Sequence, residues 1–331
     1  MSIERLFNSG ALPSESTIED LAVVEFEGRP LVVCTAHGDD VWTWEPLKDE
    51  WTERPLDRLR EYDEEDDEED EDEDDPSLMP DFMFLGAEAV GGRVVVATGG
   101  HHQGPALWDL MSGELLSGAM IGHPGVHALD TTVLDGRLAL LAGRVSPDHF
   151  DWDPSSPEWL EERRRELPAN SDDMDDAVVA RVGGRLLVAS VSRDEVQVSA
   201  LERAESLHTL TGAGLLTVAL SDTMVVAANT EGELWRWNLA DGLPAGDPIK
   251  AHDSAIRALD TITVEGRALA VTGADDGTAR IWDLATGLPE GPVLNGDKGS
   301  GRTVVTTWFQ GRPVAVTGGR DGIVRIWNLT P

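Results

Sequence analysis

The sequence repeats itself seven times, and this repetition restricts the fold more than any other feature. Each unit holds a tight turn that usually ends in Gly-Arg, then an apolar strand, a second tight turn, and a strand ending in Trp-Asp or a related pair. The clearest copies are "EGRALAVTGADDGTARIWDLATG" from Glu265 and "QGRPVAVTGGRDGIVRIWNLT" from Gln310. The first turns fall at Gly28, Gly92, Gly136, Gly184, Asp222, Gly266 and Gly311. Most of the intervals between these positions lie near the roughly 40–45 residues of a unit with four strands.

The segments inside each unit are typical of β-strands. "RALAVTG" is short, apolar and bounded by glycine turns, as strands are. "DDGT" is a tight-turn sequence in which glycine supplies a positive φ. One segment predicts a helix: "SPEWLEERRREL" over residues 156–167, with Ser156 as N-cap and Pro157 in the first turn. We therefore predict an all-β protein with a single helical insertion.

These repeats resemble those of the WD40-repeat β-propeller family, and the resemblance covers almost the whole chain. "VTGGRDGIVRIWNL" in particular is similar to repeats of bacterial, actinomycete-type WD40 proteins. The resemblance implies one domain over residues 1–331, a closed ring of seven blades in which Trp-Asp ends the third strand of each blade. The chain stops just past the third strand of unit seven. We therefore predict that "IERLFNSGAL" (residues 3–12) supplies the missing fourth strand and closes the ring.

The family often carries a buried tetrad of His, Ser or Thr, Asp and Trp. One unit has it in full as His252, Thr272, Asp276 and Trp282, and the last unit keeps Thr317, Asp321 and Trp327. An aspartate beside a histidine and a hydroxyl could also form a hydrolase triad. We interpret the set as architectural, because it recurs in register with the repeat and an active site has no reason to do so. No catalytic residue is therefore predicted.

"NGDKGSGRTV" (residues 295–304) has the spacing of a phosphate-binding loop, with Arg302 in place of the lysine. Such a loop needs a helix after it, whereas "TVVTTWF" predicts a strand. Alignment of the last two units places Asp297 at the position of the tetrad histidine. Asp297 and Asp321 would then share one corner, and we expect Asp297 to turn outward or Lys298 or Arg302 to compensate. The stretch is predicted to be a top-face loop.

Two further sets of residues could suggest a metal site and a nucleophile, but the sequence favours structural roles for both. "GGHHQG" (residues 99–104) could bind a metal through His101 and His102, but adjacent strand residues point to opposite faces, which favours a surface turn. Cys34 lies in the apolar "PLVVCT", which indicates a core residue rather than a nucleophile. As the single cysteine, it also excludes an intramolecular disulfide. We predict neither a metal nor a cofactor.

Charge is the extreme feature of the composition. Asp and Glu number 62 against 26 Lys and Arg, a net charge of −36, which disfavours nucleic acid and anionic membranes and favours a basic partner. "EYDEEDDEEDEDEDD" (residues 61–75) cannot bury apolar surface, so we predict a disordered insertion over residues 61–77. The run is interpreted as a solubilising loop, a docking tail for a basic partner or a weak site for divalent cations.

Without a signal peptide or an apolar run, we expect a cytoplasmic monomer.

Propellers commonly bind partners on the top face, around the central channel. One variable position in each unit, nine residues before the turn, is predicted to lie there: Glu19, Met83, His127, Asp175, Ala213, Arg257 and Arg302. Arg257 and Arg302 are the first choices for contacts, because arginine is enriched in interface hot spots. We predict a non-catalytic interaction platform for a protein or peptide. The alternative is an acidic inhibitor or immunity-type regulator that masks a basic surface, and an enzyme would need carboxylates or histidines converging in the channel mouth.

Overall fold

The computed structural model describes residues 3–14, 16–36, 41–56, 82–100, 103–117, 125–144, 147–155, 165–168, 173–295 and 303–330. These residues form seven antiparallel sheets of four strands each, arranged as the blades of a ring. The predicted all-β, seven-bladed propeller is therefore confirmed. The acidic residues 61–77 lie outside the described residues.

Each blade is a meander in which the first strand lies nearest the channel and the fourth lies at the outer edge. Blade one holds β2 (Ile18–Phe26), β3 (Arg29–Ala36), β4 (Val41–Glu45) and β5 (Glu50–Arg54). Blade two holds β6 (Phe84–Val90), β7 (Arg93–Gly100), β8 (Gln103–Asp109) and β9 (Leu115–Ser117). Blade three holds β10 (Ala128–Leu134), β11 (Arg137–Gly143), β12 (Pro147–Trp152) and β13 (Arg165–Glu166). Blade four holds β14 (Asp176–Val182), β15 (Arg185–Ser192), β16 (Glu195–Ala200) and β17 (Glu205–Thr211).

The remaining blades follow the same order. Blade five holds β18 (Leu215–Leu220), β19 (Met224–Asn229), β20 (Glu233–Asn238) and β21 (Ile249–Lys250). Blade six holds β22 (Ile256–Val264), β23 (Arg267–Ala274), β24 (Thr278–Asp283) and β25 (Leu294–Asn295). Blade seven combines β26 (Thr303–Phe309), β27 (Arg312–Gly318) and β28 (Arg325–Asn328) with β1 (Glu4–Asn8) from the other end of the chain.

The repeated Gly-Arg turns join the first and second strands of a blade through two residues. In blade six, Val264 pairs with Arg267 across Glu265 and Gly266, whose φ angles are +51° and +79°. Two central residues with positive φ define a type I′ turn, whose twist suits a two-residue hairpin. Glycine at the second position allows this backbone without a steric cost. The sequence repeat is thus a repeat of hairpins.

The core consists of seven apolar clusters, and each lies between two neighbouring blades. Every sheet is therefore covered on both faces, which explains why the second strands are apolar almost throughout. Cys34 on β3 is fully buried in the cluster that joins blades seven and one. Its predicted role as a core residue is confirmed, and burial raises the pKa of its thiol, which opposes thiolate formation.

The ring is closed by the N-terminal strand, as predicted. β1 pairs antiparallel with β28, from Glu4 opposite Asn328 to Asn8 opposite Arg325. The contact continues beyond the strand: Ser9 Oγ accepts the backbone N–H of Val324 at 2.9 Å. The side chain of Leu12 is 1% exposed and belongs to the cluster between blades seven and one.

The predicted helix over residues 156–167 is wrong at its C-terminal end. Arg165 and Glu166 form β13, which pairs with His149 and Asp148 and completes blade three. The charged sequence has a local helical preference, but the open edge of β12 offers backbone hydrogen bonds that a helix here would leave unused. Residues 156–164 lie outside the described residues. No helix in the described part of the chain is long and apolar enough to span a membrane.

Leu12→Ala tests the closure. The substitution creates a cavity where the N-terminal segment packs onto the ring, so we expect the free energy of unfolding to fall by about 2–5 kcal/mol in chemical denaturation. Leu47→Ala is the control, because Leu47 is 52% exposed and its loss is expected to cost at most about 0.5 kcal/mol. Equal losses for the two variants would contradict the closure.

Candidate functional site at the channel mouth

The antiparallel order of the strands places two kinds of segment on one rim of the ring: the starts of the first strands and the turns between second and third strands. We call this rim the top face. One cavity on it is lined by Glu19, Met83, Phe84, Asp175, Leu216, Arg257, Asp275 and Arg320. Four positions that the sequence assigned to the top face thus border the same cavity. His127 precedes β10 and is not among the lining residues, and Arg302 lies outside the described residues.

Acidic groups outnumber basic groups around this mouth. Arg257 Nε donates a hydrogen bond to Asp275 Oδ2 at 3.0 Å, and both side chains are substantially exposed. Arg257 is thereby largely neutralised, and Glu19, Asp175 and Arg320 also line the cavity. Because Arg302 lies outside the described residues, the cationic ring expected from Arg257, His127 and Arg302 stays a prediction.

Below the mouth, the first strands of all seven blades enclose the central channel, a cavity of about 440 Å³. Four aspartates project from these strands and line the channel: Asp20, Asp130, Asp176 and Asp260. The sequence analysis did not identify them. The available signal was an acidic residue inside an otherwise apolar first strand.

Each of these aspartates links two neighbouring blades. One carboxylate oxygen accepts the N–H of the next residue, as Asp130 does from Thr131 at 2.8 Å. The other oxygen accepts a backbone N–H from the first strand of the following blade. These donors are Leu85 for Asp20, Val179 for Asp130, Val218 for Asp176 and Thr306 for Asp260, at distances of 2.6–3.0 Å. Both oxygens of each carboxylate are therefore occupied by backbone donors.

Desolvation inside the ring raises the pKa of all four carboxyls, although their side chains keep partial contact with the channel. The pKa rises to about 7 for Asp20, about 8 for Asp130 and about 6 for Asp260, and the backbone hydrogen bonds oppose the shift. The pKa of Asp176 is raised by the same cause, and its charge raises the pKa of the other three. Among the described residues, no His, Cys, Asp or Glu side chains form a group of three that could hold a metal ion.

The full tetrad of blade six is assembled as a chain of hydrogen bonds. His252 Nδ1 lies 3.2 Å from Asp276 Oδ2, and His252 Nε2 lies 2.8 Å from Thr272 Oγ1. Trp282 Nε1 donates to the same Thr272 hydroxyl at 3.1 Å. Because a carboxylate only accepts, Nδ1 carries the proton, and Nε2 accepts from Thr272.

This chain has the connectivity of a hydrolase triad but lacks access to substrate. Burial lowers the pKa of His252, which keeps the ring neutral at neutral pH. The hydroxyl of Thr272, which would be the nucleophile, is fully buried and also accepts the indole N–H of Trp282. The geometry therefore supports an architectural role, in which the tetrad fixes the second and third strands of the blade to the loop before its first strand.

In the partial tetrad of blade seven, the aspartate pairs with an arginine instead of a neutral histidine. Trp327 Nε1 donates to Thr317 Oγ1 at 3.1 Å, as in blade six. Asp321 Oδ2 accepts from Arg325 Nη2 at 2.8 Å, and Arg325 is only 2% exposed. Arg325 thus pairs with Asp321, a pairing that the sequence analysis did not identify. Asp297, Lys298 and Arg302 lie outside the described residues.

The strand β26 follows the glycine-rich stretch directly, and β25 precedes it. A phosphate-binding loop opens a helix whose N-terminal N–H groups contact the anion, and no helix begins at Thr303. The predicted strand after the stretch is therefore confirmed, while residues 296–302 lie outside the described residues. The candidate metal pair His101 and His102 lies outside the described residues.

Thr272→Val tests the tetrad. Valine keeps the shape but removes the hydroxyl, so His252 and Trp282 each lose a buried partner at a cost of about 1–3 kcal/mol per orphaned group. Thr317→Val is the matched control, because it leaves only the indole of Trp327 without its partner. We expect Thr272→Val to reduce the free energy of unfolding about twice as much. The reverse order would contradict the hydrogen-bonded chain.

The channel aspartates predict how stability depends on pH. Their folded-state pKa values exceed the unfolded value near 4, so the folded protein binds more protons than the unfolded chain between about pH 4 and pH 8. Their stabilising contribution is complete below about pH 4 and is lost as the pH rises to about 8. We expect the free energy of unfolding to decrease over this window.

Repulsion among surface carboxylates acts in the same direction, so a charge-matched comparison is needed. Asp130→Asn should flatten the pH dependence between pH 6 and 8, whereas Asp247→Asn, at an exposed position, should not. The ¹³C carboxyl resonance of Asp130 should titrate near pH 8. A midpoint near pH 4 would show that the buried aspartates do not set the pH dependence.

Comparison with known proteins agrees with the tetrad and the fold. A family model described as "WD domain, G-beta repeat" matches residues 247–283, which include the complete tetrad of blade six. The solved structure of the computationally designed Ika8 protein is similar, with 18% sequence identity, a TM-score of 0.59, and coverage of 98% of this chain and 100% of that one; at this identity the likeness shows the fold alone. None of the curated proteins matches the sequence. The chain is therefore a seven-bladed β-propeller that contains a WD40 repeat at residues 247–283.

Proposed function

We propose that the protein is a non-catalytic interaction platform whose partner docks a basic segment on the channel mouth. WD40 propellers generally act as protein-interaction scaffolds and are typically not catalysts. The observation that carries the proposal for this chain is the convergence of Glu19, Met83, Asp175 and Arg257 on one cavity of the top face.

The charge of the site favours a basic partner. The lining of the mouth holds the carboxylates of Glu19, Asp175 and Asp275 against the guanidinium groups of Arg257 and Arg320, and Asp275 pairs with Arg257. The whole chain carries a net charge of −36. A lysine or arginine that enters the mouth meets carboxylates on several blades, and long-range attraction would steer its approach.

The carboxylates of the channel support binding rather than catalysis. Both carboxylate oxygens of each channel aspartate accept backbone N–H groups, one from its own blade and one from the following blade. These aspartates are Asp20, Asp130, Asp176 and Asp260. A general acid or base must be free to exchange its proton with a reacting group. These side chains instead hold the walls of the site in place.

Charge reversal at the mouth tests the proposal. The double variant Glu19→Lys/Asp175→Lys should capture the partner at least about tenfold less well than the original protein in affinity purification from the native host, since each lost contact with a charged group is worth about 1.5–3 kcal/mol. Glu50→Lys/Glu205→Lys is the control: it makes the same charge change on the outer strands β5 and β17, where both residues are exposed. It should bind normally.

Arg257→Glu decides the sign of the partner's charge. If the partner is basic, this variant keeps its affinity or gains some. Loss of the partner in Arg257→Glu, with binding retained in Glu19→Lys/Asp175→Lys, would contradict a basic partner and restore Arg257 as the anchor. Retention in all these variants would place the partner elsewhere.

The second candidate, an acidic regulator that masks a basic protein surface, relies on the fourteen acidic residues among positions 61–75. It is distinguished by deletion of that run. A platform that binds through the mouth keeps its affinity without the run, whereas a masking regulator loses affinity and most of its salt dependence.

A further inference from the structure

The face opposite the mouth carries an arginine after most of the turns between first and second strands. We call this face the lower face. The arginines are Arg29, Arg93, Arg137, Arg185, Arg267 and Arg312. In four blades the guanidinium lies 2.6–3.7 Å from a carboxylate at or just after the end of its own third strand: Glu45, Asp109, Asp153 and Asp283. The arginine of these blades is thus neutralised inside the blade.

Blade six shows how one aspartate serves two purposes. Asp283 Oδ1 accepts from the backbone N–H and the hydroxyl of Thr286, which fixes the turn, at 2.8 and 2.9 Å. Its other oxygen, Oδ2, accepts from the guanidinium of Arg267 at 2.6 Å. One oxygen holds the turn and the other holds the arginine.

In blade seven the corresponding residue still fixes the turn, but it does not pair with the arginine. Asn328 stands at the position of Asp283, and its Oδ1 accepts from the N–H and the hydroxyl of Thr330 at 3.1 and 2.6 Å. These two donors identify Oδ1, so the other terminal atom is Nδ2, which donates and cannot accept. The guanidinium of Arg312 makes no ion pair with any residue that the structure describes.

The two unused donors share a groove with an exposed aromatic side chain. Arg312, Asn328, Trp308 and Pro313 line a groove of about 480 Å³ on the lower face, bordered by Glu4 of β1 and by the Val264–Glu265 turn of blade six. Trp308 is 55% exposed, among the most exposed large apolar side chains in the described chain. Arg185 also has no carboxylate partner within the described ranges, but it does not line this groove.

We propose that this groove binds a carboxylate that a partner protein presents next to an apolar side chain. The carboxylate replaces the acidic group that blades one, two, three and six supply from within, and it accepts from Arg312 and from Asn328 Nδ2. The apolar side chain packs on Trp308 and Pro313. Glu4 and Glu265 repel a second negative charge, so the segment carries a single acidic residue. The groove lies on the face opposite the mouth. A test of the carboxylate site therefore does not depend on the proposal of a basic partner at the mouth.

Indole resonances report on the groove directly. The protein is labelled with ¹⁵N at its tryptophan indoles, and Trp308→Phe assigns the Trp308 signal. The probe is the dipeptide acetyl-leucyl-glutamate amide, and acetyl-leucyl-glutamine amide is its neutral match. We expect a saturable shift of the Trp308 signal with the glutamate peptide and about tenfold weaker binding of the glutamine peptide, because the hydrogen bonds to a charged group are lost.

Three variants make the test specific. Arg312→Gln should weaken the glutamate peptide about tenfold by removing the main donor. Asn328→Asp should weaken it to a similar degree without disturbing the fold, because the introduced carboxylate would pair with Arg312 as Asp283 pairs with Arg267. Arg185→Gln is the control and should leave the affinity unchanged. Equal binding of the two peptides, no saturable shift of Trp308, or affinity unaffected by Asn328→Asp would overturn the proposal.

Discussion

Packing of each sheet against both of its neighbours is the interaction on which the whole molecule depends. A single blade has two apolar faces, and both are covered only if the ring closes. β1 supplies the last edge pairing, and Leu12 completes the cluster between blades seven and one. The channel aspartates add direct hydrogen bonds between first strands at five of the seven blade junctions, including the one between blades seven and one, where Thr303 Oγ1 donates to Asp20 Oδ1. Ring closure, the packing between blades and the hydrogen bonds of the channel wall therefore all depend on contacts between neighbouring blades.

Features that recur in phase with the repeat could be predicted from the sequence. The turns, the number of blades, the role of residues 3–12 and the positions of His252, Thr272 and Trp282 all follow from aligning one unit with another. The helix expected over residues 156–167 failed because its local preference was judged without the strand edge beside it. The local sequence indicates the secondary structure that a segment prefers in isolation, whereas the fold determines which strand edges lie beside it.

Features that do not recur at one aligned position of the repeat could not be predicted. Asp20 and Asp176 lie eight residues before their turns, but Asp130 and Asp260 lie six residues before theirs. The two distances differ by one strand period, so all four side chains point to the channel although no single aligned position marks them. Arg325 presents a different difficulty. It aligns with the more exposed Arg280 but is itself buried and pairs with Asp321, which the alignment alone does not indicate.

Blade seven is where the chain ends meet, and in this blade Asn328 stands at the position that Asp283 holds in blade six. Glu4 of β1 lies opposite Asn328 of β28, and both residues line the groove that contains Arg312. Because a ligand that binds only the folded ring adds its binding free energy to the stability of that ring, the proposed carboxylate would stabilise the fold that contains this pairing. The replacement of aspartate by asparagine thus leaves Arg312 available to an external carboxylate beside the one junction that the chain cannot make with consecutive residues. In blades one, two, three and six the internal acid removes that possibility, because it already pairs with the arginine.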